Sequence, residues 1–355
     1  MRECRTLDLA KPILRTWSSE SHFESILLLQ NGAMEWLFDS YVNLLGYLNY
    51  HTQAGQLSFI PRVIPSTSNM SLSTWVRCPF LDFHYVSHNY VRNKFKDILE
   101  YIMYAIEEDY YIYLNMFQRD LSIRMGTDIH KTFVYGYDRN KRILYVADHY
   151  DHGKYALAEL GFDEFLKAYE LTYWTSESCK LINKDVDFIW EKEVIVIAKS
   201  KAFEYGFNRE WFKLQLQDYL DATYRLHCVA AIEEGEGYET YFGINNYDLA
   251  MDYLDMLMQN EREAAKDWRI FTLICDHKKL YKMRVDFFRE RGICSISDEE
   301  MVKYDKVLKS SEIVLNLFLK YIKSGKVESL KKMKEILKSM KNLEFELLRE
   351  LRDKL

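Results

Sequence analysis

A chain of 355 residues with 48% hydrophobic and 29% charged residues can bury a large core, in two or three domains or in one with a long extension. Its formal charge of −6 argues against generic nucleic-acid binding. No run approaches the roughly eighteen apolar residues of a membrane span, and the start, MRECRTLDLAKPILRTW, lacks the apolar core of a secretory signal, so the cytosol is the default compartment.

Ser21 is positioned to cap a helix running through Phe23, Ile26, Leu27 and Gln30. The stretch PRVIPSTSNMSLS collects Pro, Ser and Thr and reads as a loop. A helix follows around NKFKDILEYIMYAIEE, with Phe95, Ile98, Leu99, Ile102 and Ile106 on one face. Its acidic end leads into YYIYLNM, β-branched and aromatic, which reads as a strand. After about a dozen residues comes HKTFVYGYDRNKRILYVADHYDHGKY, two strands joined at RNKR. FDEFLKAYE then starts a helix, with Asp163 at its cap, and EVIVIAKS reads as a further strand. This order predicts an α+β core with an antiparallel sheet over residues 1–206.

From residue 207 the texture becomes helical, and residues 207–355 are expected to form a mainly helical region packed on the core. In the last segment Leu330, Met333, Leu337, Met340, Leu347 and Leu351 fall on three-four spacing, interrupted at Glu344. A bundle helix packed within its own domain explains that stripe more simply than a homodimer. Residues 320–355 hold 11 Lys/Arg against 6 Asp/Glu, a balance of +5 that leaves −11 on the rest. A solvated face is the simple reading, and an acidic partner protein is the alternative.

The chain has 27 Tyr and 20 Phe but only 4 Pro and 13 Gly, which suits an aromatic core and also a deep pocket. Six cysteines are scattered without a tight pair, so disulfide and metal-knuckle readings fare poorly.

The hairpin carries the chemistry. Folding RNKR as its turn brings Asp148 near the same end as His130, close enough for a carboxylate to orient an imidazole. The bland reading is a His bonded to backbone and an Asp at a strand end. Gly136 provides a spot with no side chain, for a bulge or close packing. DHYDH, Asp148 to His152, also admits a divalent-metal reading, although its spacing matches no zinc signature.

This hairpin, with YYIYLNM before it and GFDEFLKAYE after it, resembles the N-terminal domain family of the butirosin biosynthesis protein H. YFGINNYDLAMDYL and DWRIFTLICDHKKLYKMRVDFF resemble that family's later part, so the resemblance runs from about residue 20 to 350. It implies a papain-like, cysteine-peptidase-related core acting as an acyltransferase in specialised-metabolite pathways. Such an enzyme moves an aminoacyl or peptidyl group from a carrier-protein thioester to a small-molecule amine. No cofactor is implied beyond phosphopantetheine on the carrier. His130 matches the family's His and Asp148 its Asp. The expected Cys at the first helix start has no counterpart, because TWSSESHFESILLL offers Ser18, Ser19, Ser21, His22 and Ser25 but no thiol. Ser21 is the candidate nucleophile there, favoured by helix-start amides. Cys4 and Cys78 have no positional argument.

Three functions follow as expectations. The first is amide formation from a carrier-bound thioester with His130 as base, either through Ser21 or by direct attack of the amine. The second is a catalytically silent relative that binds a carrier protein or product. The third is a thioester or amide hydrolase.

Overall fold

The computed structural model describes residues 2–60, 78–118, 121–123, 129–151, 154–174, 193–200, 204–223, 238–259 and 266–355. The loop expected at PRVIPSTSNMSLS lies outside them, as do Cys179, Cys228 and His152. Mixed helices and antiparallel sheets form two compact units, one of residues 1–33 and 75–204, the other of residues 34–74 and 205–355. The second cut falls near the expected boundary at residue 206. Residues 34–74, however, join the C-terminal unit rather than the N-terminal one.

The first unit is built on a seven-stranded antiparallel sheet. Its strands are β1 (Cys4–Thr6), β4 (Leu81–Val86), β5 (Tyr111–Phe117), β6 (Ile129–Asp138), β7 (Ile143–Asp151), β8 (Lys154–Gly161) and β9 (Val194–Lys199). The order is β4-β9-β5-β6-β7-β8, with β1 paired to β6. The turn at residues 139–142 coincides with RNKR. Helix α1 (Ser18–Leu27) contacts β6 and β7, while α4 (Ile98–Glu107) and α5 (Phe162–Trp174) share a core with Ile112, Val134, Val146 and Val196.

Two helix starts differ from expectation. Helix α1 begins at Ser18 with Trp17 as its cap residue, so Ser21 lies in its first turn. The Ser21 hydroxyl donates to the Leu14 carbonyl at 2.8 Å rather than accepting from the helix's own amides. Asp163 likewise lies inside the first turn of α5 and pairs with Arg142 at 2.6 Å. The long helix expected around Phe95 divides into α3 (His88–Lys94) and α4, because Asp97 caps α4 through the Glu100 amide.

Gly136 serves both expected purposes. The β6–β7 register shifts between Val134 and Gly136, and β1 pairs beside β6 with Thr6 opposite the glycine. A Cβ at Gly136 would lie 2.7 Å from the Arg5 carbonyl oxygen and 2.8 Å from the Thr6 methyl. Gly136→Ala is expected to cost about 1–3 kcal/mol, since backbone must shift to admit the methyl. Urea unfolding checks this, and a midpoint equal to wild type would contradict it.

The second unit adds strand to a region expected to be mainly helical. β2 (Asn43–Asn49) and β3 (Ala54–Ile60) form a hairpin, and β10 (Tyr238–Phe242) pairs with β2. This pairing ties the β2–β3 hairpin to the C-terminal part of the chain. Around the small sheet lie α2 (Ala33–Ser40), α6 (Arg209–Leu220), α7 (Asn246–Gln259), α8 (Arg269–Glu290), α9 (Asp298–Ser324) and α10 (Glu328–Lys354). The stripe on α10 is buried from Leu330 to Leu351, packed on α9, α7 and α6 within this unit. No helix among the described residues is long and apolar enough to cross a membrane.

Candidate active site

The end of the β6–β7 hairpin opposite its turn gathers a buried carboxylate, three imidazoles and two hydroxyls. Asp148 on β7 is fully buried. His130, near the start of β6, brings Nδ1 to 3.1 Å from Asp148 Oδ2. The same nitrogen lies 3.0 Å from the Lys131 carbonyl oxygen, with which it is better aligned, so its approach to Oδ2 is a close charge contact. The expected neighbour relation between His130 and Asp148 is therefore present. With Nδ1 facing two acceptors, Nε2 is left as the lone-pair nitrogen.

The residue that pattern reading passed over is His149. Strand alternation alone would turn it away from Asp148. The β7–β8 register, however, is irregular between Asp148 and Asp151. The His149 amide donates to Asp148 Oδ1 at 2.7 Å, and its Nδ1 lies 3.3 Å from the same oxygen. Across from it, Ser21 Oγ is 3.3 Å from His149 Nε2, and Ser18 Oγ is 3.3 Å from Nδ1. Ser21 thus meets His149, not His130. The density of His and Asp in DHYDH was the available signal, read there as metal ligands.

His22 completes the cluster. Its ring is fully buried, stacked on Phe133 at 4.9 Å, with Nε2 3.6 Å from Asp148 Oδ1. Neither ring nitrogen has a hydrogen-bond partner among the described residues. Burial lowers its pKa below 6.5 despite the pull of Asp148, which keeps the ring neutral near pH 7. For Asp148, burial pushes the carboxyl up, but the facing histidines outweigh it and hold the group well below the usual carboxylate range. His22 contributes most to that lowering, followed by the contacts with His130 and His149.

The His22 shift has a testable sign. Its folded pKa is depressed, so the unfolded chain takes up a proton that the folded chain refuses. Stability is complete above the unfolded value of 6.5 and falls as pH drops below it toward the folded value. The expected loss is up to about 1.4 kcal/mol per pH unit in that window. His22→Leu should flatten the dependence of the urea midpoint between pH 7 and 5, and an unchanged slope would contradict it.

Neither Cys78 nor Cys4 is placed to supply the expected thiol. Cys78 is buried, and burial pushes its thiol up to about 12, so it stays protonated at neutral pH. Cys4 pairs with Asp138, eight residues along β6 from His130, roughly 26 Å away. Among the described residues no group of His, Cys, Asp and Glu is arranged to hold a metal. The side chain of Asp151 and all of His152, which the metal reading needs, lie outside them.

The arrangement offers two lines of proton transfer from one carboxylate. Asp148 and His130 form one, reaching partly exposed surface, since 23% of the His130 side chain is accessible. Asp148, His149 and Ser21 form the other, in buried surroundings. Comparison of the sequence with family models and with curated proteins finds no match.

Proposed function

We propose that this chain is an acyltransferase-like enzyme with a papain-like core, forming an amide from an aminoacyl or peptidyl thioester held on a carrier protein. The observation that carries this reading is the contact between buried Asp148 and partly exposed His130, which leaves Nε2 as a base. An amine attacks the thioester carbonyl and gives its proton to His130 Nε2, the carbon–sulfur bond breaks, and the imidazolium passes the proton to the leaving carrier thiolate. Asp148 orients the imidazole and balances its positive charge. A helix start facing a His and an Asp on adjacent antiparallel strands is also what the resemblance to the butirosin family implies. This route needs no cysteine.

A specific contact favours a second reading. Ser21, His149 and Asp148 stand in the order of a serine triad, with the carboxylate on Nδ1 and the hydroxyl on Nε2. Against it, the Ser21 hydroxyl is buried and lies closer to the Leu14 carbonyl than to His149.

The deciding experiment incubates the protein with an aminoacyl-carrier thioester and an amine, followed by intact mass spectrometry. Direct attack predicts amide formation that is lost in His130→Gln and kept in Ser21→Ala. An acyl adduct on the chain, absent in Ser21→Ala, would favour the serine route. Thioester loss without amide would indicate a hydrolase, and carrier binding without turnover a silent relative. Undiminished transfer by His130→Gln would sink the proposal.

A further inference from the structure

Between α4 and the sheet edge formed by β4 and β9 lies a cleft of about 350 Å³. Helical spacing puts Tyr101, Tyr104 and Glu108 on the side of α4 that lines it, and Tyr110 lines it as well. The opposite wall comes from His84, which sits across from Val196 in the β4–β9 ladder. His84 and Tyr110 meet edge to face, with ring centroids 5.9 Å apart. The cleft therefore presents aromatic rings over a floor of aliphatic side chains.

Its one carboxylate is uncommitted. In the run Glu107-Glu108-Asp109, Glu107 accepts from the Tyr137 hydroxyl and faces Arg2 and Arg5, while Asp109 pairs with Arg5 at 2.6 Å. Glu108 has no side-chain hydrogen bond or ion pair among the described residues, and it is the member of the run that lines the cleft. It also follows the last residue of α4, where carbonyls at the helix end add partial negative charge. The Tyr101, Tyr104 and Tyr110 hydroxyls likewise have no hydrogen-bond partner among the described residues. Burial and the neighbouring Tyr90 and Tyr110 push the Tyr101 phenol up to about 12, so it remains neutral.

Aromatic faces, a free carboxylate and a helix C-terminus all favour positive charge, and the aliphatic floor favours an apolar body. We infer that this cleft is a binding site for a small organic ammonium ion, held by cation–π contact with its tyrosines and charge contact with Glu108. It is separate from the acyl-transfer residues and does not depend on their role.

The test titrates the full chain with choline and with its neutral isostere 3,3-dimethylbutan-1-ol, followed by ligand NMR. Choline is expected to bind roughly fivefold or more tightly than the alcohol, with the difference shrinking as salt is added. Tyr104, 52% exposed, can be removed without disturbing the core. Tyr104→Ala should weaken choline roughly tenfold, and Glu108→Gln should erase most of its advantage over the alcohol. Equal binding of the two ligands would overturn the inference, as would choline binding unaffected by both substitutions or absent up to tens of millimolar.

Discussion

His130→Gln is expected to lower amide formation by about 10²–10⁴-fold while shifting the unfolding midpoint little. The large kinetic effect follows from removing the nitrogen that takes the amine proton in the step that breaks the thioester. Glutamine keeps a donor able to face Asp148 and the Lys131 carbonyl, so the buried carboxylate is not stranded. Partial exposure of His130 limits the packing loss. The comparison that matters is with His149→Gln. Direct attack predicts that this variant retains most transfer, whereas the serine route predicts losses of similar size for both. Measuring kcat/KM for transfer alongside thermal unfolding of each variant separates chemistry from stability. A His130→Gln enzyme within about threefold of wild type would remove His130 from the reaction, because general-base losses are far larger.

The hairpin was legible because several local signals agree. Alternating apolar residues, a polar turn at RNKR and β-branching on both arms point to one register, and Gly136 marks the place where the ladder shifts. β8 was not legible, since KYALAELG is built of Ala, Leu and Glu and forms a strand only by pairing with β7. Nor was the discontinuous second unit, because the pairing of Leu45 with Phe242 joins residues nearly two hundred positions apart. In the candidate site, His130 and Asp148 could be brought together by a hairpin rule. The meeting of His149 with Ser21 needed the irregular backbone after Asp148 and the fold of Leu14 over α1. Alternation carries no information about either.

One anomaly in the sequence did carry structural meaning. Glu344 interrupts the apolar stripe of α10, and its carboxylate is buried against Lys278 of α8 at 2.7 Å. The Lys278 ammonium also reaches Tyr219 Oη at 3.2 Å and His277 Nδ1 at 3.0 Å, so its three donors each have an acceptor. His277 in turn donates from Nε2 to the Val42 carbonyl at 2.9 Å, which fixes Nδ1 as the acceptor. Tyr247 donates to Glu344 Oε2, the oxygen that Lys278 also approaches. Burial lowers the pKa of Lys278, and Glu344 pulls it back.

Lys278→Met is expected to destabilise the chain by about 3–5 kcal/mol, because it leaves a buried carboxylate without its cation. Glu344→Leu should cost a similar amount by stranding the ammonium. The double variant Lys278→Met/Glu344→Leu should be more stable than either single one, since neither charge is then left alone. It should not return fully to wild type, because His277 Nδ1 and the Tyr247 hydroxyl lose partners at about 1–3 kcal/mol each. A urea-unfolding double-mutant cycle measures the coupling directly. Single substitutions costing under about 1 kcal/mol and adding independently would show that the two charges do not depend on one another. A strong coupling would instead make Glu344 the residue that fixes how α10 rotates against α8, since a one-residue turn of the helix would strand Lys278 among tyrosines.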